Sequence, residues 1–206
     1  MGAVGPDLGD GHGDLAGHPD RLRWNARYEA GYAGSFRQPA LAEQALSLDL
    51  PDGPVADLAC GPSGTALLAA AAGRRVTAVD ISEVALARLA ERAERRGLGD
   101  LITCVQADLT AWRPEPGGYA LVLCTGYWDR AVFPVAASSV VVGGALGWEA
   151  FTAGARRVRP GLSPAWCLEP GEPASLLPPG YEVEDDRDLP DGERGTRHRL
   201  LARRLR

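Results

Sequence analysis

Three aspartates, Asp57, Asp80 and Asp108, stand where a nucleoside-bearing ligand would need hydrogen-bond acceptors. Each closes a short apolar run (VAD, VTAVD and VQAD) that reads as a buried strand. After the first comes Asp57-Leu58-Ala59-Cys60-Gly61-Pro62-Ser63-Gly64. Small residues at 59, 61, 63 and 64 let backbone approach a ligand, and amides at the start of the next helix suit a carboxylate or phosphate. Asp80 follows Gly61 by 19 residues, and a carboxylate there can accept both hydroxyls of a ribose. One aspartate alone reads as a helix cap or loop solubiliser. Three in register with a small-residue loop read as a ligand crevice at the carboxyl edge of a parallel sheet. The dinucleotide fingerprint G-x-G-x-x-G is met only in part, by Gly61 and Gly64, and it does not usually follow an aspartate.

What the chain lacks narrows the chemistry further. All 22 basic residues are arginine, so a Schiff-base lysine and a Walker-loop lysine are both excluded. Cys60, Cys104, Cys124 and Cys167 are far apart, without metal-ligand spacing, and read as buried thiols in a reducing, cytoplasmic setting. No metal site is expected. His12 and His18 fall in a polar N-terminal stretch and His198 near the C-terminus, away from the expected crevice, which disfavours a serine or cysteine triad. A net charge of −5 disfavours nucleic acid, and no run approaches a membrane span.

The elements that must position these residues follow from pattern. Residues 1–20 hold six glycines and four aspartates and read as a flexible tail, leaving 21–206 as one domain. Helical pattern runs from Arg21 to Leu50, with a break near Gly31 to Pro39. Strands are expected at PVADLACG, RRVTAVD, LITCVQAD, YALVLCTG and GALGWEAF, with helices at Thr65–Ala72, from Ser82 to about Arg96, and at Asp129–Ser139. Such alternation implies an α/β three-layer sandwich around a mostly parallel sheet, Rossmann-like in plan. YEVEDD and RHRLLARRL read as two closing strands, the arginines after Gly192 suiting an edge strand.

At VADLACGPSG, VTAVDIS, VQADL and YALVLCTGYWDR the chain resembles the class I S-adenosylmethionine-dependent methyltransferases. Within them it is similar to the small-molecule group of tellurite-resistance and thiopurine methyltransferases. The resemblance covers residues 24–151 well and implies a seven-stranded sheet whose last strand is antiparallel. It implies that Asp57 acts on the cofactor's amino group or a bound water. Ala59, Gly61 and Ser63 would occupy three positions where glycine is usual, Ser63 adding a side chain near the cofactor. Asp80 would hold the ribose, Ile81 would pack on adenine, Asp108 would accept the adenine amino group and the Leu109 amide would face the ring. Cys124 and Thr125 would line the methionine portion, and Trp24 and Tyr28 would belong to a lid helix.

Methyl transfer from a sulfonium is an in-line displacement, so the protein's main task is alignment. Bases are scarce. Glu149 and Tyr127 are the expected catalytic candidates, and Trp128, Asp129 and Arg130 are expected to line the acceptor site, with Arg130 on an anionic substituent. A thiol or other soft nucleophile fits best, because it needs little base assistance. The expected protein is a monomer or homodimer acting on a small molecule, with S-adenosylhomocysteine as product. Its rivals are an NAD(P)-dependent oxidoreductase and a non-catalytic nucleoside-cofactor-binding protein.

Overall fold

The computed structural model describes residues 15–31, 36, 39–190, 192 and 195–206. Strands β1 (Val55–Leu58), β2 (Val76–Asp80), β3 (Ile102–Gln106), β4 (Tyr119–Thr125), β5 (Val140–Phe151), β6 (Tyr181–Pro190) and β7 (Thr196–Arg204) form one sheet. Its order is β3-β2-β1-β4-β5-β7-β6. Strands β1 to β5 are parallel, and β7 runs antiparallel to both β5 and β6. The expected sheet is therefore present, with one correction. β7 is an interior strand, and β6 is the edge. Leu200 and Leu201 are both fully buried, on opposite faces, which an edge strand exposed to water would not favour.

Helices α2 (Ala40–Leu46), α3 (Gly64–Ala71) and α4 (Glu83–Glu94) cover one face, where Leu41, Leu67 and Leu89 pack on Val55, Leu121, Leu123 and Leu201. α5 (Val132–Ser138) and the segment after β5, which includes the one-turn α6 (Glu172–Ser175), cover the other, over Leu58, Val122, Trp148 and Leu200. The third layer is thin: β3 reaches β4 through turns, without a helix. Serine caps start the two helices that face the crevice. Ser63 Oγ accepts from Ala66 N at 2.9 Å, and Ser82 Oγ accepts from Ala85 N at 3.2 Å.

Helix α1 (Pro19–Glu29) begins inside the stretch expected to be a tail. His18 Nδ1 accepts from Asp20 N at 3.2 Å, and Pro19 fixes the first turn. Residues 1–14 of the expected tail, with His12, lie outside the described residues. Among the described residues, no helix is long and apolar enough to cross a membrane.

Candidate active site

The loop after β1 reverses sharply. Ala59 takes φ +48° and Gly61 φ +56°, both left-handed. An L-residue in that region carries about 1–2 kcal/mol of steric cost. Ala59→Gly is therefore expected to stabilise the fold by about 0.5–1 kcal/mol after glycine's larger unfolded-state entropy is subtracted. Urea denaturation checks this, and a destabilised variant would show that the methyl group packs usefully. At Gly61, also left-handed, a Cβ would meet the Tyr28 hydroxyl at 2.8 Å, so a larger residue would be strained and would displace that ring.

That turn aims the Gly61 amide at Asp80, whose Oδ2 accepts it at 2.7 Å while Oδ1 accepts Ser82 N at 2.8 Å. Burial raises the Asp80 carboxyl above its ordinary range, against the Ser82, Gly61 and Ile81 amides that favour ionisation. Asp57 is 1% exposed. Burial pushes its carboxyl up to about 7, with the Ser63 hydroxyl and Ala66 amide pulling the other way and Asp80 adding repulsion. Ser63 donates to Asp57 Oδ2 while capping α3. Its hydroxyl is thus turned onto the sheet and helix, which resolves why serine is tolerated at a position where glycine is usual. Asp108 accepts Thr110 N at 2.9 Å and Thr110 Oγ1 at 2.7 Å, and His18 Nε2 lies 3.5 Å from its Oδ2.

Helix α1 roofs these three carboxylates. Its His18 lies over the end of β3, its Arg21 pairs with Glu83, and its Asn25 accepts from Ser82 Oγ at 2.6 Å beyond β2. Tyr28 reaches Gly61 beyond β1, and its carbonyl accepts from Arg88 at 2.6 Å. Trp24 stacks on Tyr28 with ring centroids 5.8 Å apart. Residues 18, 21, 25 and 28 share one helical face, the docking face. The sequence reading missed His18, Arg21 and Asn25. The signal was present: His-Pro-Asp is a helix-start pattern, with proline at the first helical position. Tyr32, in helical register with Trp24 and Tyr28, lies outside the described residues.

On the acceptor side several expectations need correction. The Glu149 carboxylate is 2% exposed and ion-paired with Arg197 at 2.5 Å and Arg199 at 3.0 Å. Its oxygens are occupied by guanidinium donors, so it serves as a strut between β5 and β7 and not as a base. Tyr127 is half-buried. Burial, with Asp129 the next cause, raises its phenol well above the ordinary range, so at neutral pH it is a donor. Cys124 packs in the α5-side core, its thiol donating to Tyr127 O at 3.7 Å, and burial raises that thiol well above its ordinary range. Thr125, one residue on, takes the opposite face.

Trp128 is 1% exposed and packs edge-on against Trp148 and tilted against Phe133, centroids 5.9 and 5.4 Å away, so its ring is spent on the α5-side core. Asp129 Oδ1 accepts from Ala131 N at 2.8 Å and Val132 N at 3.1 Å, capping the approach to α5. Arg130 is bound to Glu172 and donates to Cys167 O at 3.4 Å, tying the β4–α5 loop to α6. Ile81 follows Asp80 at the end of β2, its carbonyl accepting from Gln106 at 3.1 Å, and Leu109, after Asp108, is buried. His198 lies between Asp186 and Asp188 on β6, at 2.6 and 2.8 Å.

A sheet in this order, with acidic residues closing the first three strands around a left-handed loop, is the class I methyltransferase fold. Residues 55–140 match the family model described as a methyltransferase domain. The chain is similar in structure to a geranyl diphosphate methyltransferase solved with S-adenosylmethionine (TM-score 0.68, 17% identity, 92% of this chain and 94% of that one). It is similar to TehB from Haemophilus influenzae (TM-score 0.65, 16% identity, 87% and 66%). It is also similar to the [4+2]-cyclase SpnF (TM-score 0.64, 17% identity, 80% and 78%). No curated protein sequence matches the chain.

The residues present fit the cofactor of this class. Each Asp80 oxygen accepts one amide and keeps a lone pair for a ribose hydroxyl. The Asp57 carboxylate, buried with one hydroxyl donor, complements an ammonium group. Asp108, at the end of β3, retains acceptor capacity toward an adenine amino group.

Proposed function

We propose that the domain binds S-adenosylmethionine along the carboxyl edge of β1–β4 beneath α1 and methylates a small-molecule acceptor whose nucleophile is soft or already ionised. The observation that carries this is the convergence of Asp57, Asp80 and Asp108 around the Gly61 loop under one helix. When bound, the cofactor supplies an electrophilic methyl group on a sulfonium. Asp80 holds the ribose hydroxyls, Asp57 the amino group, Asp108 and the Leu109 amide the adenine. α1 excludes water, and a drier site strengthens each of these contacts. Thr125 and Tyr127 border the methyl end.

Among the described residues at that end, no free base stands ready. Glu149 is engaged by two arginines, and Tyr127 keeps its proton. A thiol, selenol or related acceptor needs no such base, its proton passing to bulk water. This supports a soft nucleophile over an alcohol or amine. Four unpaired cysteines suit a reducing cytoplasmic setting. A second reading, binding or another reaction without methyl transfer, is favoured by one fact: a similar fold serves a [4+2]-cyclase.

Two measurements test the proposal. S-adenosylhomocysteine is expected to raise the melting temperature more than NAD or NADP at equal concentration. Incubated with S-adenosylmethionine, thiols are expected to be methylated faster than phenols or amines. Thermal shift without turnover across such a panel would favour the second reading. Asp80→Ala is expected to weaken S-adenosylhomocysteine at least tenfold by calorimetry, and to cost about 1–3 kcal/mol of stability because two buried amides lose their acceptor. Unchanged affinity would remove the ribose assignment.

A further inference from the structure

The outward face of α1 carries a second set of contacts. Arg23 stands between two indoles: its Cζ is 4.2 Å from the Trp166 ring centre and 5.5 Å from that of Trp24. Trp24 stacks on Tyr28, and the Tyr28 hydroxyl abuts Gly61. Trp166, Arg23, Trp24 and Tyr28 thus form one continuous stack from the segment after β5 to the cofactor loop. Neither Trp24 nor Trp166 belongs to either hydrophobic core.

Trp166 is well placed to anchor the far end. It sits in the short 3-10 turn Pro164–Trp166, and the next residues are rooted on the end of β5. Leu168 N donates to Phe151 O at 2.8 Å, Ala153 N donates to Leu168 O at 2.9 Å, and Arg130 holds the Cys167 carbonyl. α1 crosses the sheet edge from β3 to β1, and Trp166 meets it from the β5 side. The contact therefore closes the crevice on the side that the docking face of α1 leaves unheld.

We propose that Trp166 is a positioning residue that, through Arg23, straps α1 across the crevice, so that cofactor and product exchange requires the Arg23–Trp166 contact to open. The retention part rests on the function proposed above. A guanidinium on an indole face is a directional contact that yields without unfolding either core, which suits a strap that must release.

Backbone hydrogen exchange of the protein alone tests the strap, and S-adenosylhomocysteine release by stopped-flow tests retention. Arg23→Ala and Trp166→Ala are each expected to speed exchange of the α1 amides about three- to tenfold and to speed release similarly, from the size of a partly exposed cation–π contact. The double variant is expected to add little beyond either single change. Trp166→Phe, which keeps an aromatic face, is expected to recover most of both. Unchanged α1 exchange in the single variants, or additive effects in the double, overturns the strap. Faster exchange with unchanged release overturns retention. A wild-type protein that binds no S-adenosylhomocysteine overturns the underlying function and retention together, while exchange still reports on the strap itself.

Discussion

Asp57→Asn is expected to stabilise the protein progressively as pH rises, and to weaken its hold on the cofactor. Burial raises the folded carboxyl from 3.8 to about 7, so the folded state holds a proton that the unfolded chain has lost between those values. Stability on this group's account is full below about 4, falls as pH climbs, and levels off above about 7. Each unit of that climb costs about 1.4 kcal/mol. Asparagine cannot ionise, yet keeps an acceptor for the Ser63 hydroxyl. The stability gap between variant and wild type should therefore widen by about 2–3 kcal/mol from pH 5 to pH 8, on the order of 4–10 °C in Tm for a chain of this size. Groups that titrate alike in both proteins cancel in that difference. Melting curves at the two pH values check it, and a constant gap would show that Asp57 is not a strained buried acid. At pH 8 the variant should bind S-adenosylhomocysteine about 10- to 100-fold less tightly, the worth of a hydrogen bond to a charged group. Natural sequences keep such destabilising groups where binding needs them.

Glu149→Gln is expected to act on stability and not on the chemical step. Glu149 and Arg199 are nearly fully buried, and Arg197 is three-quarters buried at its side chain. Removing the one carboxylate charge leaves the two guanidiniums facing a neutral amide, with Gln44 Oε1, 3.3 Å from Arg199, as a further neutral acceptor for that arginine. Breaking a buried ion pair from one side costs about 3–5 kcal/mol. Turnover per folded molecule at low temperature should remain within a few-fold of wild type. Pairing the change with Arg199→Met, which removes the orphaned charge, should restore part of the lost stability. A variant that melts like wild type but loses one limb of its pH–rate profile would reinstate Glu149 as a base.

Several acceptor-side expectations failed for one shared reason. Tyr127 to Arg130 follow a strand end, and their types suit a binding site equally well as a core. Trp128 goes to the core because Trp148 and Phe133 offer it aromatic faces from distant elements. Arg130 is consumed by Glu172, 42 residues away, and Glu149 by arginines about 50 residues on. Pairing between remote charges leaves no trace in local spacing. The cofactor side was more legible because its requirement is local: a strand end, a tight turn and a helix cap within eight residues.

The parallel sheet, the loop after β1 and the three acidic strand ends were legible in the sequence, because continuous apolar runs, glycine placement and serine capping act over a few residues. The sequence also excluded lysine chemistry outright. Which side chains face the crevice depended on long-range packing. It turned Cys124 into the core and Thr125 out, placed β7 inside the sheet, and folded residues 19–29 back over Gly61 and Asp80. Those outcomes rest mostly on contacts between segments remote in the chain, whose energies depend on which partner arrives and not on any pattern within either segment.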